Sequence, residues 1–333
     1  MLKLNYITVI QVVSTTPLCF ILTKIIIMVA KKINFVNYPN PIVASHQEAT
    51  PYGGGLAIGA TLFIYLLLQS FHTQIASKFI LILVPVLMIG LFDDILKFSP
   101  LKKILLQVVS AVPFLFYYIN SSILLSSIFL LFILFSQNAW NLIDIMDGIT
   151  AGISFIVFLS AGIILLPHNE LELYSDLSFA TALSVLGFRF LNRHPAKIFL
   201  GETGSLLLGS LFAFIVINTF LINELLAFFL LLLGIIPFFE LFFLIIIRTR
   251  NGIPFYKGSP DHFALRMLNN GFSINKINFT VILISIIYSC LIVFVSLFEI
   301  SKFVLIGCLS LYFFCLLIAF FYFQSLPARE IKR

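Results

Sequence analysis

The chain has 333 residues, of which 61% are hydrophobic and only 10% are charged, and its mean hydropathy is +1.12. Soluble domains carry about 25% charged residues, so this composition excludes an ordinary soluble protein and indicates an integral membrane protein. The formal net charge is +6. Most of the basic residues lie between apolar segments, a pattern typical of membrane topology and not of nucleic-acid binding.

The apolar segments indicate the fold class. Most are close to the ~20 residues that a helix needs to cross a hydrocarbon core. Open sheets are excluded because their edges would be unsatisfied in lipid, and the segments are too long and continuous for barrel strands. The sequence predicts an all-α, polytopic membrane helical bundle with a single domain over residues 1–333. Its eleven predicted helices lie near 5–30, 54–71, 77–92, 104–119, 123–140, 151–166, 175–191, 204–222, 225–247, 276–297 and 303–324.

The basic residues predict the orientation. With the N-terminus outside and the C-terminus in the cytoplasm, the inner segments hold sixteen of the 20 Lys and Arg residues. The outer segments hold only Lys3, Lys78 and Lys302, and Lys24 lies near the inner end of the first helix. This distribution follows the positive-inside rule.

The four cysteines give no sign of a metal or redox site. All of them fall inside apolar segments without metal-type spacing, so we interpret them as small apolar residues. They are Cys19, Cys290, Cys308 and Cys315.

The acidic residues gather on the predicted inner face. A transporter would be expected to place its ionisable residues near the midplane, at broken helices. Here they approach one membrane surface, which favours a site that joins a water-soluble substrate to a membrane-soluble one. These acids are Asp93, Asp94, Asp144, Asp147, Glu202 and Asp261.

Asp93 and Asp94 form an adjacent pair at the inner end of the third predicted helix. Neighbouring residues of a helix point about 100° apart, so we expect one carboxylate to face a metal or substrate and the other a flank. Alone, such a pair is more often a solvated helix end than a functional site.

Four polar residues at three-residue intervals are more informative: Asn138, Asn141, Asp144 and Asp147. Each step turns a helix by about 300°, so they cannot all line one face of a straight helix. Either the helix breaks near Gly148 or the group splits. Acids and amides without a basic partner nearby in sequence suggest a bound cation or ligand donors. The alternative is a polar network that ties helices together.

Two loops add further candidates. Small residues surround Glu202 in the segment 200–205, which predicts either a phosphate site or a helix cap. In the segment 257–266, His262 and Arg266 would share a face if a helix begins after Pro260, although a lone loop histidine is usually only solvated. Glu240 and Arg248 lie eight residues apart on roughly one face of the ninth predicted helix, a spacing that predicts either a buried structural ion pair or two separate residues.

In this order, these segments resemble the polyprenyl-phosphate N-acetylhexosamine-1-phosphate transferase family, of the glycosyltransferase 4 type, which contains the MraY and WecA enzymes. The resemblance rests on five motifs that together cover almost the whole chain. They are Asp93-Asp94, the segment 138–148, the segment 199–205, Pro237 with an acid three residues later, and the segment 260–266.

The resemblance implies an enzyme of the bacterial inner membrane that transfers a sugar 1-phosphate from a UDP-N-acetylhexosamine to undecaprenyl phosphate, giving a lipid-linked diphosphate and UMP. It implies Mg²⁺ as cofactor, with Mn²⁺ as the alternative ion, and a role at the start of cell-envelope glycan synthesis such as O-antigen. The implied residues are Asp93, Asp94 and Asp144 for catalysis, Asn138, Asp147, His262 and Arg266 for substrate binding, and Asn141 and Glu202 for the metal.

The chain departs from the family pattern in three places. Glu202 and Glu240 stand where the family usually has aspartate. The multi-histidine loop of MraY is reduced to Asp261-His262, which favours the WecA-like branch over a muramyl-pentapeptide donor.

Two other classes remain as alternatives. A transporter would use the carboxylates to couple substrate movement. A non-catalytic membrane scaffold is disfavoured because acids at a helix centre cost about 2.5–3.5 kcal/mol each. The sugar, the pathway and the oligomeric state, monomer or homodimer, are left open.

Overall fold

The computed structural model describes residues 6–38, 49–70, 74–118, 122–298 and 302–328. Almost all of them are helical, so the predicted all-α class is confirmed. The helices in these ranges are α1 (Tyr6–Lys32), α2 (Gly54–Ser70), α3 (Gln74–Leu96), α4 (Pro100–Tyr118), α5 (Ile123–Ile143), α6 (Ile149–Leu165), α7 (Glu172–Asn192), α8 (Gly201–Ile222), α9 (Glu224–Leu233), α10 (Ile235–Arg250), α11 (Phe263–Asn269), α12 (Ile274–Leu297) and α13 (Lys302–Ser325). A 3-10 turn, Asn169–Leu171, precedes α7.

Several helices are suited to crossing a membrane. Among the described residues, α1, α5, α8 and α12 are each long and apolar enough, and the bent pair α9–α10 gives a fifth candidate. The chain is therefore a multi-pass membrane protein. The predicted number of about eleven spans and the orientation of the termini stay predictions. Residues 1–5 and 329–333 lie outside the described ranges.

The predicted helix 225–247 is divided in the structure. α9 and α10 meet at a 64° bend. Pro237 explains the break, because in a continuous helix it could not donate to the carbonyl of Leu233, whereas the first turn of α10 tolerates proline. A Cβ at Gly234 would lie 2.8 Å from the rings of Phe212 and Phe238, so glycine lets the bend pack against α8.

α8 is the centre of the bundle. It contacts α2, α3, α5 and α9, and most of its residues are buried. The segment that enters α8 is fixed by the chain around the start of α2, where the two-residue strands β1 (Val36–Asn37) and β2 (Thr50–Pro51) pair antiparallel. Pro51 O accepts a hydrogen bond from Phe199 N at 2.8 Å, and Gly55 N donates to Leu200 O at 2.9 Å.

Glycines make this approach possible. A Cβ at Gly55 would lie 2.1 Å from Gly204 N, and one at Gly90 would lie 2.4 Å from Thr203 Cα. α2, α3 and the start of α8 therefore touch through their backbones.

Replacing Gly55 with alanine is expected to destabilise the protein by about 3 kcal/mol, at the upper end for an overpacked core, because the backbone of α8 must move. Gly258→Ala is the control, since a Cβ there meets no atom within 4 Å. Thermal unfolding in detergent should show a large loss for Gly55→Ala alone. Equal melting temperatures for the two variants would contradict this packing.

Candidate active site

A cavity of about 800 Å³ opens where the ends of α3, α4, α5, α8 and α10 meet. One part of its wall is polar and the other is apolar. The acids, amides and imidazole that line it are Asn37, Asp94, Asn138, Asn141, Asp144, Asp147, Asn192, Glu202 and His262. Seven of the nine predicted site residues therefore share one cavity, and Asp93 and Arg266 are not among its lining residues.

Asp94 holds the start of α8. Its Oδ1 accepts from Glu202 N at 2.9 Å, and its Oδ2 accepts from Thr203 N at 3.1 Å and Thr203 Oγ1 at 2.6 Å. The first N–H groups of a helix lack intrahelical partners, so a carboxylate at this place is a favourable cap. Gly201 has φ +75°, and a Cβ there would lie 2.7 Å from Asp94 Oδ2. Asp94 thus fixes the position of Glu202.

Asp93 points away from Asp94, as the helical geometry predicts. Its Oδ1 accepts from Phe98 N at 2.9 Å, and its Oδ2 lies 3.5 Å from Lys103 Nζ. This second oxygen is buried and accepts no hydrogen bond, so the ammonium compensates its charge from slightly beyond hydrogen-bonding distance. Asp93 therefore acts on the cavity through Lys103.

Lys103, in the first turn of α4, is the cation at the centre of the cluster. Its Nζ donates to Asn141 Oδ1 at 3.0 Å and to Glu202 Oε2. Asn141 Nδ2 donates to the same Glu202 oxygen at 2.6 Å and to Ser205 Oγ at 3.1 Å. Because an ammonium can only donate, the carbonyl of Asn141 must face Lys103.

Asp144 follows the last residue of α5 and lies outside the helix, half-buried in the cavity wall. Burial, together with the negative charges of Glu202 and Asp94, raises the pKa of the Asp144 carboxyl to about 7. A divalent cation or a cationic group placed here would lower it again.

Asp147 braces the loop that leads into α8. Its Oδ2 accepts from Ala196 N at 3.1 Å and lies 2.8 Å from His194 Nδ1. Gly148, with φ +75°, starts α6. The chain therefore breaks between α5 and α6, the first of the two alternatives that the spacing of the four polar residues left open. The carboxylate of Asp147 is engaged by its own chain, which indicates a positioning role for this predicted substrate-binding residue.

His262 lies at the opposite wall, just before α11. Its Nδ1 is 2.7 Å from Glu240 Oε1, and both side chains are buried. A carboxylate that accepts from Nδ1–H fixes the imidazole tautomer and leaves Nε2 as the free ring nitrogen.

The predicted ion pair between Glu240 and Arg248 is wrong. Glu240 pairs with His262, whereas Arg248 donates to Ser259 Oγ at 2.9 Å and to Phe255 O at 2.9 Å. Eight residues separate the two along α10, and the intervening two turns carry their charged groups apart.

Arg266 binds its own chain. It donates to Asp261 Oδ1 at 2.7 Å and to Leu326 O at 2.6 Å, with longer contacts to the carbonyls of Phe323 and Gln324. The predicted substrate contact finds no support in this geometry, because the guanidinium ties α11 to the end of α13.

Comparison with known proteins shows which family the chain belongs to. Residues 76–220 match the sequence profile of glycosyl transferase family 4. A probable undecaprenyl-phosphate N-acetylglucosaminyl 1-phosphate transferase of Bacillus subtilis is 30% identical over 288 residues, which cover 81% of this chain and 79% of the relative. The chain belongs to glycosyl transferase family 4. A phospho-N-acetylmuramoyl-pentapeptide-transferase of Listeria innocua is 30% identical over 237 residues, 60% of this chain and 72% of that protein.

The family resemblance is thereby confirmed, and the WecA-like branch is supported. The family and the names of these relatives support a phospho-sugar transferase.

The acids of the cavity in this family 4 member are suited to a metal ion that is shared with the substrate. Within the described part of the chain, no group of three His, Cys, Asp or Glu side chains is arranged to hold a metal ion alone. Mg²⁺ in phosphoryl-transfer sites is held by one or two carboxylates together with substrate phosphates and water. Asp144 and Glu202 are the lining acids that neither cap a helix nor pair with histidine, so they fit such a shared site.

The sequence did not indicate three residues in or behind this site: Lys103, Gln107 and Arg248. Lys103 was counted only as a topology signal, although Lys103, Gln107 and Ser110 form an i, i+4, i+7 polar stripe on the mostly apolar α4. That spacing places all three on one helix face and was the available signal. Arg248 lines the cavity, but the sequence singled it out only as a partner for Glu240.

Proposed function

We propose that this family 4 transferase moves N-acetylhexosamine 1-phosphate from a UDP-sugar to undecaprenyl phosphate in the bacterial inner membrane. The products are a lipid-linked diphosphate sugar and UMP, and the reaction initiates cell-envelope glycan synthesis. The acceptor lipid is that of the Bacillus subtilis relative, and both relatives transfer a phospho-sugar.

The two-sided cavity is the observation that carries this proposal. Its polar wall holds the acids, the amides and Lys103. Its apolar wall is formed by α5 and α10, with Leu131, Leu134, Phe135, Leu241, Leu244 and Ile245. A polar group joined to a hydrocarbon chain needs both surfaces, because burying the chain is favourable only where the phosphate remains solvated or paired.

The reaction that this cavity would support is an in-line displacement. An oxygen of the lipid phosphate forms a bond to the β-phosphorus of the UDP-sugar, and the bond from that phosphorus to the bridging oxygen breaks, so that UMP leaves with the electron pair. A phosphate monoester has a second pKa of about 6, so the attacking group is mostly a dianion at neutral pH. The chief demand on the protein is therefore charge neutralisation and alignment.

Different residues of the cavity provide charge neutralisation and alignment. Lys103 supplies a fixed positive charge beside Glu202, and Arg248 adds a second at the opposite wall. Asp94 and Asp147 hold the loop that carries Glu202. When bound between Asp144, Glu202 and substrate oxygens, Mg²⁺ would supply neutralisation of the diphosphate charge.

The donor is proposed to be UDP-N-acetylglucosamine or a related UDP-N-acetylhexosamine. Its support is the single imidazole, His262, in place of a multi-histidine loop, together with the similarity to the Bacillus subtilis relative.

A transfer assay tests the proposal. Purified protein in undecaprenyl-phosphate vesicles with Mg²⁺ and radiolabelled UDP-N-acetylhexosamines, tested as a panel, is expected to give an organic-soluble labelled product and stoichiometric UMP, with loss of both in EDTA. Substrate-dependent flux across the vesicle membrane with no lipid-linked product from any sugar would reject the enzyme and favour a transporter.

A further inference from the structure

A buried amide on α4, Gln107, contacts a cavity residue from behind. Its side chain is fully buried, and its Oε1 lies 3.0 Å from Nδ2 of Asn138 on α5. Asn138 lines the cavity, whereas Gln107 is not among the lining residues. Any influence of Gln107 on a bound ligand must therefore pass through Asn138.

The hydrogen-bond partners of Asn138 and Gln107 fix the orientation of both amides. Asn138 Nδ2 is 2.7 Å from Leu134 O, and a carbonyl can only accept. The nitrogen of Asn138 must therefore face α4, and Gln107 must meet it with its oxygen. Asn138 Oδ1 accepts no hydrogen bond from any residue that the structure describes. The atom that the Asn138 amide exposes to the cavity is thus its oxygen, which is a hydrogen-bond acceptor.

This orientation of the two amides is energetically unfavourable at Gln107. With Gln107 Oε1 directed at Asn138, Gln107 Nε2 is buried without a partner. A buried unsatisfied polar group costs about 1–3 kcal/mol, and an apolar side chain between α4 and α5 would avoid it. Packing between the helices therefore does not account for glutamine at this position.

We propose that Gln107 is a positioning residue that, together with Leu134 O, holds the NH₂ group of Asn138 away from the cavity, so that Asn138 presents its carbonyl oxygen to the nucleotide sugar. Resting on the proposed function, the inference names the group that is recognised: an uncharged hydroxyl or amide N–H of the UDP-sugar. A phosphate oxygen is excluded as the partner of Asn138, because two acceptors repel. Sites that hydrogen-bond a substrate O–H or N–H discriminate strongly against its absence.

Steady-state kinetics with three variants tests this. Gln107→Met removes the acceptor and is expected to raise KM for the UDP-sugar about tenfold, which corresponds to ~1.4 kcal/mol. KM for undecaprenyl phosphate should not change. Gln107→Glu keeps an acceptor oxygen and should restore KM for the UDP-sugar to within about threefold of the unaltered protein.

Gln137→Met is the matched control. Gln137 is equally buried in the same helix interface, but it donates to Ser110 Oγ and Ser210 Oγ at 3.3 and 2.8 Å and not to Asn138. It should lower the melting temperature without changing KM for the UDP-sugar. In an Asn138→Ala background, Gln107→Met should have no further effect on KM.

Two results would overturn the inference while leaving the proposed function intact: an unchanged KM in Gln107→Met, or the same KM increase in Gln137→Met. Absence of transfer by the unaltered protein with every UDP-sugar would reject the proposed function and this inference together.

Discussion

Replacing Lys103 with methionine is expected to reduce kcat/KM for sugar-phosphate transfer by about a hundredfold or more, the range found when one preorganised electrostatic donor is removed. Lys103 contacts Glu202 and Asn141 and lies 3.5 Å from Asp93 Oδ2. Without the ammonium, the cavity loses the charge that offsets two carboxylates and the incoming phosphates. Lys102→Met is the control, because Lys102 is the exposed neighbour on the same helix turn.

The same substitution should lower the free energy of unfolding. Breaking a fully buried ion pair costs about 3–5 kcal/mol, and the partial exposure of Lys103 and Glu202, 16% and 27%, reduces our expectation to about 1–3 kcal/mol. Adding Glu202→Gln should recover stability by removing the uncompensated charge, but not activity. Equal activities for Lys103→Met and Lys102→Met would contradict the role of Lys103.

Asp94→Asn is the second large effect that we expect, a loss of kcat/KM of about a hundredfold with a protein that still folds. Asp94 accepts from Glu202 N, Thr203 N and Thr203 Oγ1. An asparagine keeps one acceptor oxygen and must direct its NH₂ group at the second donor site, where two donors repel. The first turn of α8 then shifts, and Glu202 with it. Ångström-scale misplacement of a catalytic group can cost about a hundredfold in rate.

Thr203→Val separates the effect of the helix cap, made through the backbone N–H groups, from the effect of the threonine hydroxyl. It removes only the contact from Oγ1, which should cost about 1 kcal/mol of stability and about tenfold or less in activity. Circular dichroism and melting curves would establish that both variants are folded. An Asp94→Asn enzyme that is as active as Thr203→Val would show that the cap does not control the position of Glu202.

The sequence predicts which polar residues meet because each one is exceptional in its surroundings. Amides and acids at the end of an apolar helix, as at Asn141 and Asp144, are costly without a partner. The 60° drift of each three-residue step excludes one straight helix face for the four polar residues, and the structure shows the break at Gly148 as the outcome. The split between Asp93 and Asp94 follows from the same helical geometry.

The partners of these residues could not be predicted, because they come from distant helices. Lys103 meets Glu202, 99 residues away in sequence. Asp94 caps α8 from 108 residues away. Such pairs depend on how close α3, α4 and α8 approach, and glycines at positions such as Gly90 set that distance without any sequence period that reveals it.

The wrong prediction of an ion pair between Glu240 and Arg248 has a similar origin. Both residues lie on α10, but the loop after it offers closer partners for both, His262 and Ser259. The substrate contact of Arg266, which the family resemblance implies, stays a prediction, and in the structure Asp261 and a carbonyl at the end of α13 engage the guanidinium.

We propose that one cavity, at the predicted cytoplasmic boundary of the membrane, receives both the dissolved nucleotide and the lipid phosphate. The most direct test is maleimide labelling of Gly258→Cys in a cysteine-free background, since Gly258 lines the cavity and has room for a side chain. Asn251→Cys, exposed on the same loop outside the cavity lining, is the control. We expect an impermeant maleimide to label both only from the cytoplasmic side. UDP-N-acetylhexosamine and undecaprenyl phosphate should each slow labelling of Gly258→Cys alone. Labelling from the outer side, or a Gly258→Cys rate that neither substrate changes, would contradict this account.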